Sequence, residues 1–149
     1  VVRRIPEGYR NITPYLVNES VDRVMTFLRQ AFGATEKYPP MRHPDGTIMH
    51  AEMRIGDSTL MLAEASVEYR PMPACFYVYV EDVDRTYRRA LRAGAVSVID
   101  PRDQFYGDRG AGVQDPAGNF WWIATHKEDV PDQEIDRRFQ ASLAHSGAA

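Results

Sequence analysis

Three side chains that can hold or move a proton stand two residues apart in the stretch HAEMRIGDSTLML, residues 50–62: His50, Glu52 and Arg54. If the stretch is extended, that spacing puts all three on one face. A carboxylate beside an imidazole can abstract and return a proton, and partial burial would bring the carboxyl pKa toward neutrality. Arg54 would then steady an anion or pair with Glu52. The plainer alternative is a charged strand face at an open rim, with His50 and Glu52 bonded to each other and to water. A metal site built on His50 and Glu52 is a third alternative. It needs a further donor such as His126, because such sites use three or four.

A second cluster lies in FYGDRG, residues 105–110, where Asp108 and Arg109 stand between Gly107 and Gly110. The planar fork of Arg109 suits a carboxylate or phosphate. Alternatively, Asp108 and Arg109 pair with each other and brace the loop. His43, in the turn RHPDG, and His145, near the end, are given no chemical role.

The elements that must position these groups are legible from periodicity. The chain has 149 residues, 44% hydrophobic and 26% charged, the composition of a folded globular domain. Its net charge of −3, with both signs interspersed, leaves no basic stripe for nucleic acid. One cysteine, Cys75, excludes an internal disulfide and fits a reducing, cytoplasmic setting. No apolar run is long enough for a membrane span, and the start VVRRIPEGYR lacks the apolar core of a signal peptide. Neither nucleic acid nor a membrane is expected as a partner.

A strand is predicted around residues 10–17. SVDRVMTFLRQAFG switches to helical spacing, with Val21, Val24, Met25, Leu28 and Phe32 as its stripe, Ser20 as its cap and Gly33 as its stop. ATEKYPPMR reads as an edge strand broken at Pro39-Pro40. PDG at 44–46 is a turn. Strands over about 47–55 and 58–64 are joined by Gly56-Asp57. ASVEYRPMP reads as a linker, 65–73. CFYVYV is then a strand, and DVDRTYRRALRAG a helix capped by Asp82, with Val83, Tyr87, Ala90 and Leu91 inward and Gly94 at its end. AVSVID, GDRGAGVQ and NFWWIATH are strands, the last two separated by the turn DPAG. PDQEIDRRFQASLAH carries Ile135, Phe139 and Leu143 at spacing four, an amphipathic helix over about 131–145. It packs on its own domain or reaches across a dimer. The final SGAA is expected to be disordered.

Each half thus reads strand, helix, strand, strand, strand. Gly-Ala ends both helices, at 33–34 and 94–95, and Met61 and Trp122 each lie 28 residues beyond the helix-ending glycine. A duplicated module, about 9–64 and 74–127 within one domain, accounts for this best.

FLRQAFGA, DGTIMHAEMRIGDSTLML, YVYVEDVDRTYRRALRAGA and YGDRGAGVQDPAGNFWW together resemble the vicinal oxygen chelate superfamily of glyoxalase I, bleomycin-resistance proteins and extradiol dioxygenases. The resemblance covers roughly residues 10–127. It implies an α+β fold in which two paired βαβββ modules form an eight-stranded, cup-like mixed sheet with helices outside. In the metal enzymes of that superfamily, four ligands come from the first and last strands of each module. Their positions fall here on Thr13, Met61, Cys75 and Trp122. These residues do not make a metal site: threonine and methionine are poor donors, tryptophan is none, and one thiolate cannot hold zinc or nickel alone. Their immediate neighbours offer no ligand either. No metal or other cofactor is therefore expected.

With Gly56-Asp57 as a two-residue turn, Ile55 pairs with Ser58, Arg54 with Thr59, Glu52 with Met61 and His50 with Ala63. Because Met61 is a cup position by resemblance, His50, Glu52 and Arg54 face the cup too. Met49, Ala51, Met53, Ile55, Leu60 and Leu62 then pack under a helix. Alternation from the carried-over positions adds Tyr15, Tyr77, Tyr79, Phe120, Ala124 and His126 to the cup. The rings either wall a ligand pocket or fill the cup as ordinary core.

The leading expectation is a metal-independent, glyoxalase- and bleomycin-resistance-like protein holding a small aromatic or amphipathic molecule. Its contacts would be Thr13, Tyr15, Arg54, Met61, Cys75, Tyr77, Tyr79, Arg109 and Trp122. The competing expectation is a lyase or isomerase acting on a small oxygenated substrate, with His50 and Glu52 as acid–base groups or as recruiters of a divalent metal. A purely structural or partner-binding domain is a third. The resemblance implies an isologous homodimer.

Overall fold

Periodicity in the chain becomes nine strands and three helices in the computed structural model, which describes residues 1–147. The order is β1 (Tyr15–Asn18), α1 (Val21–Phe32), β2 (Thr35–Glu36), β3 (Met41–Arg42), β4 (Ile48–Ile55), β5 (Ser58–Glu64), β6 (Cys75–Tyr79), α2 (Val83–Arg92), β7 (Val96–Asp103), β8 (Asp108–Gln114), β9 (Phe120–His126) and α3 (Asp132–Ser146). The first half forms a five-stranded sheet, β1-β5-β4-β2 with β3 also on β4; the second forms a four-stranded sheet, β6-β9-β8-β7. β1 runs parallel to β5 and β6 parallel to β9, the remaining pairs being antiparallel, so both sheets are mixed and the fold is α+β as expected. Within one chain the strands are two sheets rather than a single closed one. β1 and β6 are edge strands and are not hydrogen-bonded to each other.

The hairpin register is the predicted one. Ile55 faces Ser58, Arg54 faces Thr59 and Glu52 faces Met61. A two-residue turn with Gly56 at φ 57 permits no slip. The predicted edge strand is two short strands, because Pro39-Pro40 cannot donate to a ladder.

The helical stripes are buried as their spacing demands: Val21, Val24, Met25 and Leu28 on α1, and Val83, Tyr87 and Ala90 on α2. Asp82 caps α2 by accepting from the Arg85 N–H at 3.0 Å. Ser20 does not cap α1 with its side chain. It sits at φ 56, and Glu64, at the end of β5, accepts from the N–H groups of Ser20 (2.7 Å) and Val21 (3.0 Å) instead. A carboxylate brought in by tertiary contact is a stronger acceptor than the local hydroxyl and also suits the helix dipole.

One core serves both halves. Ala51, Met53, Leu60 and Leu62 enter it from the first sheet, and Val113, Trp121 and Ile123 from the second. Met49 does not join them, being exposed, while Ile48 is buried in its place. Met49 lies beyond the paired length of β5, where the β3–β4 register also shifts. Phe32 meets Trp121 at 5.2 Å between ring centres, and Phe76 stacks on Trp121 at 4.6 Å. Beside this apolar seam lies a buried polar clasp. Asn18 and Asn119 exchange side-chain hydrogen bonds of 3.1 and 2.8 Å, and Asp115 accepts from Asn119 Nδ2 (2.8 Å) and from Trp121 Nε1 (2.9 Å).

Helix α3 has no buried residue. It docks on its own chain, with Arg138 reaching Glu128 and the Phe105 carbonyl and Phe139 lying 5.6 Å from Phe105. The predicted disorder of the last four residues is not met at Ser146, which is helical; Ala148 and Ala149 lie outside the described residues.

Candidate functional site: two tyrosine-ringed carboxylates

Strand alternation divides each sheet into an apolar face, turned to the shared core, and a polar face turned away from it. On the polar face of the first sheet, Glu52 is 5% exposed. Its carboxylate accepts from the Tyr9 hydroxyl, from the Tyr38 hydroxyl at 2.5 Å and from His50 Nε2 at 2.9 Å. His50 Nδ1 in turn lies 2.9 Å from the Tyr15 hydroxyl. With Nε2 donating to an ionised carboxylate, Nδ1 is left to accept the Tyr15 O–H. The chain of contacts therefore runs carboxylate, imidazole, phenol.

The polar face of the second sheet repeats the theme with different residues. Asp108 is 4% exposed. It accepts from Tyr77 at 2.6 Å, from Tyr79 at 3.1 Å and from His126 Nδ1 at 2.8 Å. His126 Nε2 reaches Asp129 at 2.7 Å, so both ring nitrogens face carboxylates. Tyr77, Tyr79, Tyr106, Asp108 and His126 line a hollow of about 370 Å³. Gly107, at φ 105, holds the turn that carries Tyr106 and Asp108. Its carbonyl accepts from the N–H groups of Lys127 and Glu128, and a Cβ there would strike the Glu128 carbonyl.

The electrostatics follow from these contacts. Burial pushes the Glu52 carboxyl up, but hydrogen bonds from Tyr38, Tyr9 and His50 outweigh it and hold its pKa below the ordinary value. The predicted rise toward neutrality is thus reversed: three donors to the charged form defeat desolvation. Asp108 is likewise held low, burial being overcome by Tyr77, His126 and Tyr79. The phenols move the other way. Bonding to Glu52 pushes Tyr38 up to about 12. Burial and then Asp108 raise Tyr77 and Tyr79, and burial and then the Glu52 charge raise Tyr15. Asp108, and after it Asp129, raises His126.

The sequence-derived site residues are only partly brought together. His50, Glu52, Arg54, Tyr15 and Met61 share the first sheet's polar face; Cys75, Tyr77, Tyr79 and Trp122 share that of the second. The four cup positions do not line a common hollow in the single chain. Thr13 precedes β1, and none of Thr13, Met61, Cys75 and Trp122 lines the 370 Å³ hollow or the larger cleft described below. The reason is that their strands belong to two separate sheets. Arg54 is exposed and does not pair with Glu52, whose oxygens are taken by Tyr9, Tyr38 and His50.

The expected Asp108–Arg109 brace does not form. Neighbours on a strand point to opposite faces, so Arg109 turns to Asp84 (2.8 and 3.0 Å) and Asp103 (3.3 Å) while Asp108 turns to the tyrosines. That also removes Arg109 from the ring-lined face. Tyr9, Tyr38 and Tyr106 were not singled out from sequence. All three come from irregular segments that carry no periodic signal. A cleft of about 550 Å³ between the halves was also unforeseen; Phe32, Leu60, Phe76 and Val78 line it, with Arg89. Among the described residues, no group of three His, Cys, Asp or Glu converges as a cation site.

A model of the Glyoxalase/Bleomycin resistance protein/Dioxygenase superfamily matches residues 12–123. An uncharacterized protein of Mycobacterium bovis is 31% identical over 147 residues, covering 91% of this chain and 93% of that protein. Among solved structures, TioX from Micromonospora sp. ML1 is 27% identical with a TM-score of 0.64, covering 78% of this chain and 98% of TioX. A glyoxalase-related enzyme from Fulvimarina pelagi shares the fold at 16% identity and a TM-score of 0.62, covering 78% of this chain and 87% of its own. No described helix is long and apolar enough to cross a membrane.

Proposed function

This chain belongs to the Glyoxalase/Bleomycin resistance protein/Dioxygenase superfamily, and from that premise we propose that it binds a small aromatic or amphipathic molecule against its tyrosine- and tryptophan-bearing sheet faces, without the superfamily's metal. The observation that carries this reading is the half-exposed aromatic surface of the second sheet. Tyr77 and Tyr79 are 44% and 63% exposed, and Phe120 and Trp122 lie beside them with ring centres 5.0 Å apart. Such rings offer flat apolar area with hydroxyl handles, the usual wall of a small-molecule site. The donor set supports metal independence, because Thr13, Met61, Cys75 and Trp122 supply neither the number nor the kind of atoms a divalent ion needs. Two copies facing each other would cover these surfaces, so an isologous homodimer is part of the reading, as is a cytoplasmic location.

The test is a titration with 2-naphthol, followed by NMR. The Trp122 indole N–H should shift, while that of Trp121, buried and bonded to Asp115, should not. A stationary Trp122 signal at millimolar naphthol sinks the reading. Light scattering on the purified chain tests the dimer, and a monomer removes that part.

A second reading is favoured by the Glu52–His50–Tyr15 chain: a lyase or isomerase for a small oxygenated substrate. Glu52, held ionised, would orient the imidazole rather than act as base, and His50 would exchange the proton. If turnover of a candidate substrate survives Glu52→Ala unchanged, this reading is lost. Stoichiometric nickel, zinc, manganese or iron in protein purified without chelators would instead favour a metal-dependent enzyme.

A further inference from the structure

We propose that the hollow over Asp108 receives a small organic cation, an alkylammonium or quaternary ammonium group. The proposal rests on the reading that this face takes a small molecule, and adds the charge that molecule carries. Three tyrosine rings and one buried carboxylate bound the hollow. Tyr77 and Tyr79 lie 5.2 Å apart at 55°, and the Tyr106 hydroxyl is 3.4 Å from that of Tyr77. Ring faces attract cations through their quadrupole, more strongly where water is excluded.

The hydrogen bonding strengthens that pull. Tyr77 and Tyr79 both donate to Asp108 Oδ2, and a phenol that donates to a carboxylate passes electron density into its own ring. The carboxylate itself adds a fixed negative charge at the hydroxyl ends of the rings.

Permanently cationic side chains are kept away. No lysine or arginine lines the hollow. Arg109, next along the chain, is turned to the other face and bound by Asp84 and Asp103. His126 is shared between Asp108 and Asp129, so the cluster stays net negative whether or not the imidazole is protonated. The hollow is shallow and open to solvent, about 370 Å³, and so suits a compact head group rather than an enclosed ligand. In the larger cleft between the halves a guanidinium, Arg89, is already present beside Asp57 and Glu81.

The experiment compares choline with 3,3-dimethylbutan-1-ol, which has the same shape with carbon in place of the charged nitrogen. Binding is followed through the Tyr77, Tyr79 and Tyr106 ring signals of the intact chain. Choline should bind about tenfold more tightly than its neutral isostere, the factor worth ~1.4 kcal/mol and within the range of cation–aromatic attraction. Tyr106→Ala should abolish most of that preference and Tyr106→Phe, which keeps the ring, should retain it. Asp108→Asn should also lower it, and Tyr106 carries the test if that variant does not fold. Equal binding of the two ligands overturns the cation while leaving a small-molecule site in place. So does naphthol binding where choline does not. If none of the three perturbs these rings or the Trp122 indole, both readings fall.

Discussion

Glu52 and Asp108 are the same chemical idea built twice: a carboxylate on a strand, nearly sealed from water, receiving two tyrosine hydroxyls and one histidine. They differ in where the tyrosines come from. Tyr9 and Tyr38 reach Glu52 from irregular segments outside the sheet. The Thr59 hydroxyl bonds the Gly8 carbonyl, and Lys37 sits 3.6 Å over the Tyr9 ring, so the N-terminal arm is fastened across the first sheet. Tyr77 and Tyr79 come from β6 itself and leave their rings exposed. One nest is closed by its own chain and the other is open. A closed nest contributes stability; an open one is free to meet a ligand.

The sharpest way to break that contrast is to remove each carboxylate. Glu52→Ala should cost about 3 kcal/mol, because Tyr9, Tyr38 and His50 lose a charged acceptor where water cannot easily replace it. Asp108→Ala should cost only ~1 kcal/mol, since Tyr77 and Tyr79 can turn their hydroxyls to solvent. Urea midpoints measure both, and the reverse order would refute the distinction. On the donor side, Tyr9→Phe should lose about 1 kcal/mol of stability, and Tyr79→Phe less than roughly 0.5.

The smallest expected effects are in pH dependence. Both carboxyls have folded-state pKa values below their ordinary values of 4.5 and 3.8, so their stabilisation is complete above those values and disappears as pH falls through the folded pKa. Glu52→Gln should flatten the acid limb of the stability curve. His126 is shifted the other way. Its stabilisation is present below its ordinary value of 6.5 and is lost as pH rises through the folded pKa, above that value. His126→Ala should remove a slope of stability between neutral and mildly alkaline pH. A slope unchanged in His126→Ala would show that the imidazole between Asp108 and Asp129 does not set it.

The hairpin register and both inward helical stripes were legible because each is written locally, in period and turn chemistry. The partners of Glu52 were not, since Tyr9 and Tyr38 lie 43 and 14 residues away in segments without a pattern. The cap of α1 failed for a similar reason, as Glu64 arrives from the far end of the module. The parting of Asp108 and Arg109 is written in the sequence as well. Once residues 108–114 are read as a strand, adjacent side chains must part. That the two halves share a core yet keep separate sheets has no local signature at all.

The clasp between Asn18 and Asn119 carries a consequence for descent. Asn119 also holds Asp115 and the Ala74 N–H, whereas the Asn18 side-chain oxygen receives from Asn119, so replacing Asn119 strands that buried oxygen while replacing Asn18 leaves Asn119 partnered. The two sites lie in different halves of the chain, and across related chains a change at position 119 should be answered at position 18.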